Sequence, residues 1–294
     1  MQVLPIQTPQ IKPGDSVADI LAGCFGFSDS DILLVSSKVI AMAEGRIFDL
    51  KKIKTGEEAL KLAPQCGQEP EFTELILRET ERMNGFIASI SPFALLTSLK
   101  PAGMKTGRLL CPNAGLDKSN IEPGYAIGWP EDPVRSVRIL RMQLELSGRK
   151  PRNPKKPTKP KIGSLSSDSP LGHELEVEWS DSSVSSVSSR IAVIITDSCC
   201  RPARLGVVAF ALVCTGIDPV QSQIGKKDLF GKPLNFTHEA VADQLATAAN
   251  FVMGNAGQSV PAAVIRDHGI ELSDYSGWVD GINPGEDLFK ETIV

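Results

Sequence analysis

Residues 148–189 constrain the fold more than any other feature of this chain. They open with GRKPRNPKKPTKPKIG, basic and proline-rich, and continue as SLSSDSPLGHELEVEWSDSSVSSVSS, serine-rich with a short acidic patch. Few of these side chains can fill a core, so ordering them would cost conformational entropy that burial does not offset. The segment reads as a mostly disordered insertion, in the plainest case a flexible linker. The alternative is a regulatory segment that binds an acidic partner or is phosphorylated on its serines. A folded unit must then be assembled from residues 1–147 and 190–294.

Both flanking parts carry the patterns of regular elements. DILLVSS (31–37) reads as a buried strand, IAVIIT (191–196) and VVAFALVC (207–214) as core strands, and PAAVIR (261–266) as a late strand. Asp15 is expected to cap a helix bearing Val17, Ile20, Leu21 and Cys24 on one face. Residues 71–83 read as a second helix, and Asp132 with Pro133 starts a third. Thr237 is expected to cap an alanine-rich helix that turns Val241, Leu245, Ala248 and Val252 inward and stops at Gly254. Strands and helices mix without a regular βαβ rhythm, which favours an α+β fold over a doubly wound sheet. A length of 294 residues admits one large or two medium domains, and 41% hydrophobic with 22% charged residues is ordinary for a globular protein.

Several function classes drop out. A net charge of −4 offers no global field for nucleic acid or an anionic membrane. The opening MQVLPIQTPQIKPGD lacks the basic and apolar regions of a signal peptide, and the longest apolar runs are too short to cross a bilayer. Six cysteines without a CxxC pair are too sparse for a disulfide scaffold, and point to reduced thiols in a cytoplasmic protein. Three scattered histidines argue against a histidine-based zinc site. There is no GxxxxGK[ST] and no GxGxxG, so neither a P-loop nor a dinucleotide fold is indicated.

Two short stretches could carry chemistry together. In PNAGLDKSN (112–120), Asp117 can offer a metal a carboxylate and Asn120 a polar contact; the plain reading is an Asx-rich turn. In TDSCCRPAR (196–204), a hydrophobic strand delivers Asp197 and Ser198, hard oxygen ligands suited to Mg²⁺ or Mn²⁺. Arg201 and Arg204 follow, with guanidinium forks suited to phosphate or carboxylate. Oxygen ligands beside arginines suit nucleotide-dependent transfer; the plain reading is a strand end with a solvated salt bridge. Lys38, at the end of the first core strand, can meet a phosphate or sit on the surface. The glycines of MGNAGQS (253–259) can let backbone amides approach an anion.

Taken in order, LPI, KPGD, VSSKVIAMAEGR, ELILRETE, NAGLDKSN, EDPVRS, VIITDS..RP.R, DLFGKPLNFT and VADQLATAANFVMG resemble the coenzyme F-420-0:γ-glutamyl ligase family over nearly the whole chain except 148–189. The resemblance implies a ligase unit of two lobes (1–147 and 190–294), forming an intertwined homodimer. It implies that L-glutamate is joined through its amine to a carboxylate of coenzyme F-420-0, with GTP and divalent metal, releasing GDP and phosphate. Carried over by position, Asp117 and Asp197 match metal ligands, and Ser198 stands where the family usually has threonine. Ser37, Asn120 and the stretch Leu4, Pro5, Ile6, Gln7 match nucleotide contacts. So does the loop after Met253, with Gly254, Asn255 and Gly257. Arg201, Arg204 and Lys38 are the expected catalytic cations. Departures surround this set: Met42 replaces a frequent lysine, and Cys200 and Ala203 replace glycine and tryptophan. Two other readings stay open on sequence, a sister ligase that glutamylates a folate or pterin and a degenerate homologue that only binds.

Overall fold

The computed structural model describes residues 1–147 and 191–289, so the predicted 148–189 insertion lies outside the described residues. The first part runs β1 (Gln2–Ile6), α1 (Val17–Cys24), β2 (Asp31–Ser36), α2 (Ser37–Ala43), β3 (Ile47–Asp49), α3 (Glu57–Cys66), α4 (Pro70–Arg82), β4 (Phe86–Ser91), β5 (Ala94–Leu99), β6 (Leu109–Pro112), β7 (Tyr125–Ile127) and α5 (Pro133–Ser147). The second runs β8 (Ile191–Cys200), β9 (Val207–Thr215), β10 (Gln221–Ser222), β11 (His238–Glu239), α6 (Val241–Met253), β12 (Ala262–Arg266) and β13 (Ser276–Trp278).

The two parts interleave in one six-stranded sheet of order β1-β12-β2-β8-β9-β13. Only β2 and β8 run parallel; the other neighbours are antiparallel. Strand β2 is thus held between two strands from the far side of the chain. Alternation along the strands explains the continuous apolar runs. Leu33, Val35, Val193, Ile195 and Val213 join one core, which also takes in Leu21 of α1 and Val137 and Leu140 of α5. Ile32, Leu34, Ala192, Ile194 and Cys214 join a second core with Val241, Leu245 and Ala249 of α6. The architecture is mixed α and β, with a mixed sheet and six α-helices among the described residues. A separate antiparallel sheet, β4-β5-β6, packs beside α3 and α4 and leads directly into the PNAGLDKSN loop.

Side chains cap two of the six helices, α1 and α5, and two expected caps need correction. Asp132 Oδ1 accepts from Arg135 N at 2.9 Å, and Pro133 begins α5 as expected. Helix α1 is capped by Ser16, whose Oγ accepts from Asp19 N at 3.2 Å; Asp15 instead accepts from Lys12 N at 2.7 Å and closes the preceding turn. Thr237 does not cap α6. That helix starts after Ala240 with no side-chain cap, and the Thr237 carbonyl accepts from Gln223 N beside the β10–β11 pair. The α6 end is as read, with Gly254 at φ 70°. All six cysteines are free. Among the described residues no helix is long and apolar enough to cross a membrane.

One buried ion pair secures β12 against β2. Asp31 is fully buried, and its two oxygens accept from Arg266 Nε and Nη2 at 2.7 and 2.6 Å. Ser28 N donates to it as well, at 2.7 Å. Removing one partner leaves an uncompensated buried charge, so Arg266→Ala is expected to cost about 3 kcal/mol or more in urea unfolding. A loss under about 1 kcal/mol would show that the pair is not what holds this strand edge.

Candidate active site

The amide-rich loop after β6 is built from left-handed backbone. Asn113, Ala114 and Gly115 have φ of 53°, 53° and 73°, a conformation that asparagine and glycine adopt more readily than other residues. Asn113 Oδ1 accepts from Leu95 N at 3.1 Å, and Ala114 N donates to Thr97 Oγ1 at 3.2 Å, so β5 grips the turn. Gly115 has a second reason to be glycine. A Cβ there would lie 2.2 Å from the Trp129 ring. Two residues on, Asp117 exchanges both backbone hydrogen bonds with Ile127 at 2.9 Å. The loop is therefore pinned at both ends, and the Asp117 carboxylate is presented from a fixed backbone.

Asp117 sits in a compact polar network. Its Oδ2 accepts from Lys38 Nζ at 2.5 Å and from Ser119 Oγ at 2.7 Å, and its Oδ1 accepts from Ser119 N at 2.8 Å. Lys38 Nζ also donates to Ser119 Oγ at 2.8 Å. Burial alone would raise the Asp117 pKa, but the bonds from Lys38 and Ser119 and the Lys38 charge outweigh it and hold the carboxyl below its ordinary value.

Asp197 comes from the sheet. The pairing of β8 with β9 shifts register after Ile195, where Leu212 of β9 is the extra, unpaired residue, so the bulge bends β9 beside Asp197. Asp197 Oδ2 accepts from Trp129 Nε1 at 2.5 Å and Oδ1 from Ser198 N at 2.8 Å. Burial pushes this carboxyl up to about 6, against the lowering by the Trp129 and Ser198 bonds and the Lys38 charge; the Asp117 charge raises it further. The two carboxylates thus feel each other across one site.

That site is a cavity of about 530 Å³. Its lining brings together Lys38, Asp117, Asn120, Asp197, Ser198, Gly254, Asn255 and Gly257 from the sequence-predicted set. Ser119 lines it too, beside Met42, Asn250 and an apolar stretch with Pro9, Ile11, Val39 and Val260. Other predicted residues lie elsewhere. Leu4, Pro5 and Ile6 belong to β1, and Gln7 leads from it to Thr8 on the cavity wall. Ser37 is buried at the start of α2, next to Lys38. Arg201 and Arg204 are exposed in the turn between β8 and β9, where Arg204 N donates to the Arg201 carbonyl, and neither lines the cavity. Ser119 could have been found from the Asx-turn spacing to Asp117. Trp129 had no such signal, because its bond to Asp197 spans 68 residues of sequence.

Among the described residues no group of three or more His, Cys, Asp or Glu could hold a metal ion. The donors present are two carboxylates and the Ser198 hydroxyl, all hard oxygens at one cavity, and this set fits a Mg²⁺ or Mn²⁺ ion that keeps waters or phosphate oxygens as further ligands. The raised Asp197 carboxyl fits as well, since a cation would offset the cost of its poorly solvated charge.

Without metal, ionising Asp197 costs the fold stability. Its protonated form is favoured in the folded state, so the penalty is absent below the ordinary carboxylate value and complete above about 6. Thermal unfolding in chelator is expected to show wild type losing ground to Asp197→Asn as pH rises from about 4 to about 7. A difference that stays flat over that range would contradict the burial.

The F420-0:Gamma-glutamyl ligase family model matches residues 5–151 and 182–267. A coenzyme F420:L-glutamate ligase of Methanosarcina mazei is 34% identical over 259 residues, covering 88% of this chain and 82% of the relative. Relatives of the same name are 32% identical over 268 residues in Methanopyrus kandleri, covering 91% of this chain and 87% of the relative, and 34% identical over 268 residues in Archaeoglobus fulgidus, covering 90% and 87%. With most of its length matched, the polar cavity at the β8 end included, the chain belongs to the F420-0:Gamma-glutamyl ligase family.

Proposed function

We propose that this protein is a GTP-dependent ligase that adds L-glutamate to the carboxylate of coenzyme F420-0 through an acyl phosphate, releasing GDP and phosphate. Family membership and the names of its relatives support the glutamyl transfer. The observation that carries the reading is the pairing of Asp117 and Asp197, with Lys38, on one cavity that also holds the Gly254–Gly257 loop.

The chemistry follows from charge. A carboxylate is a poor electrophile. In the first step its oxygen attacks the γ-phosphorus, the bond to GDP breaks, and the electron pair leaves on GDP. In the second, the neutral amine of glutamate attacks the activated carbonyl carbon, phosphate departs, and the amine loses a proton to leave an amide. The first step joins two anions, so the site must neutralise charge before it can position them. Lys38 supplies a cation at the cavity wall, and its ammonium can pass from Asp117 to a phosphate oxygen without leaving the Ser119 hydroxyl. The Gly254–Gly257 loop lines the cavity, and at Gly257 open space would let the backbone approach a phosphate, whereas the Gln258 side chain packs on Gly254 and accepts from Ala256 N. Arg201 and Arg204, exposed in the β8–β9 turn outside the cavity lining, have guanidinium groups suited to a substrate carboxylate or phosphate. Asp117, Asp197 and Ser198 would hold Mg²⁺ or Mn²⁺, which when bound supplies charge neutralisation at the transferring phosphoryl group.

A homodimer is part of the same proposal. Between β10 and β11, Asp228 Oδ1 accepts from Phe230 N and Lys232 N, both at 2.9 Å, and so preorganises a tip. On that tip Leu229 and Phe230 are almost wholly exposed, and Phe236 lies nearby, equally uncovered. Adjacent bare apolar side chains on a fixed turn suit burial against a second copy. Light scattering is expected to give a dimer for wild type and a monomer for the Leu229→Asp, Phe230→Asp double variant; a monomeric wild type would contradict this part.

The activity is tested with GTP, manganese and labelled glutamate over deazaflavin, folate and pterin acceptors, with ATP as a second arm. Mass spectrometry is expected to show one or more glutamyl units added to coenzyme F420-0 with GTP. Asp117→Asn and Asp197→Asn, folded by circular dichroism, should each lose about a hundredfold or more of that rate. Product on a pterin alone would move the protein to the sister-ligase reading, and no product on any acceptor would reject the enzyme.

A further inference from the structure

Trp129 touches both halves of the site and belongs to neither. It follows β7 and is 2% exposed. Its indole Nε1 donates to Asp197 Oδ2 at 2.5 Å. Its ring lies so close to Gly115 that a single added carbon there would overlap it, and Gly115 is two residues from Asp117. Its own backbone is fixed from behind. Arg46 Nε donates to the Trp129 carbonyl at 3.2 Å, and Arg46 Nη2 donates at 2.7 Å to Glu79, itself buried and also bonded by Arg82. Gly128 N donates to the Arg46 carbonyl at 3.2 Å.

We propose that Trp129 is a positioning residue for the ligation, setting the orientation of Asp197 and the spacing of Asp197 from Asp117. The inference rests on the reading of these two aspartates as ligands of one divalent cation. A carboxylate on a short side chain can rotate about its terminal torsion, which is broad and nearly two-fold. The indole bond removes that freedom at Oδ2, and the Ser198 amide holds Oδ1. The remaining acceptor capacity of Asp197 is then directed at the cavity it lines. The ring face acts on the other half. Pressed on the backbone of Gly115, it sets how near the Asp117 loop can come to β8. One rigid side chain thus gauges a distance between groups that lie 80 residues apart in sequence, and a partner that orients a metal ligand typically changes metal affinity by about 10- to 100-fold.

The test separates the N–H from the ring. Trp129→Phe keeps an aromatic face on Gly115 and deletes the donor. Mn²⁺ affinity is measured directly by the electron paramagnetic resonance signal of free Mn²⁺, with no turnover. Trp129→Phe is expected to keep its fold by circular dichroism and to bind Mn²⁺ about tenfold more weakly. With metal saturating, kcat should fall while the KM for glutamate stays within about twofold, a split that general destabilisation does not produce. A second measurement needs no change at Trp129. In ¹⁵N-indole spectra of wild type, the resonance that Asp197→Asn displaces should also move when Mg²⁺ is added. Wild type that binds Mn²⁺ with Trp129→Phe unchanged, or an indole resonance indifferent to Mg²⁺, would overturn the positioning role and leave the ligase reading standing. Wild type that binds no Mn²⁺ would overturn both.

Discussion

A half-buried, desolvated carboxylate at the end of a core strand is the constraint from which the site follows. The residues of β8 before Asp197 are all buried, so the strand cannot rotate to release its end. Past Ile195 the strand leaves the core, its pairing with β9 shifted by the extra residue Leu212 on β9, and Asp197 and Ser198 both line one cavity. Burial opposes the charge on Asp197, and the indole of Trp129 and the Ser198 amide offset only part of that cost. A site built this way has an unmet demand for positive charge, which an ion-binding enzyme can use.

The rest of the fold supplies the opposing half at a set distance. Asp117 is held by two backbone bonds to Ile127 and by a left-handed turn that β5 grips. Lys38 arrives from the parallel neighbour of β8, one residue into α2. Because β2 lies between β12 and β8, the two parts of the chain cannot separate without losing the site. The cavity is a product of strand order, so it forms only when the sheet does.

What was legible in the sequence was local or periodic. The core strands stood out because both their faces are covered, and Asp132 with Pro133 announced α5 through a capping bond three residues long. Choices between adjacent candidates were not legible: Asp15 and Ser16 both suit a cap, and only the backbone path assigns one to the helix and the other to the turn before it. Thr237 misled because α6 begins at Val241, after an Ala240 that offers no side-chain cap, leaving no local mark of the true start. In the site, Asp117, Asp197 and the glycine loop were readable as motifs, whereas the Trp129 bond joins two stretches that only the folded sheet brings together. The arginines show the opposite limit, since proximity in sequence to Asp197 put them on an exposed turn and not on the cavity wall.

The central claim is that Asp117 and Asp197 serve one cation. Crystals grown with Mn²⁺ and GDP, measured at the manganese absorption edge, test it most directly. The account predicts an anomalous peak within direct coordination distance of both carboxylates, with GDP phosphate oxygens completing the shell. Manganese bound elsewhere, or to one aspartate with the other still paired to Lys38, would contradict it.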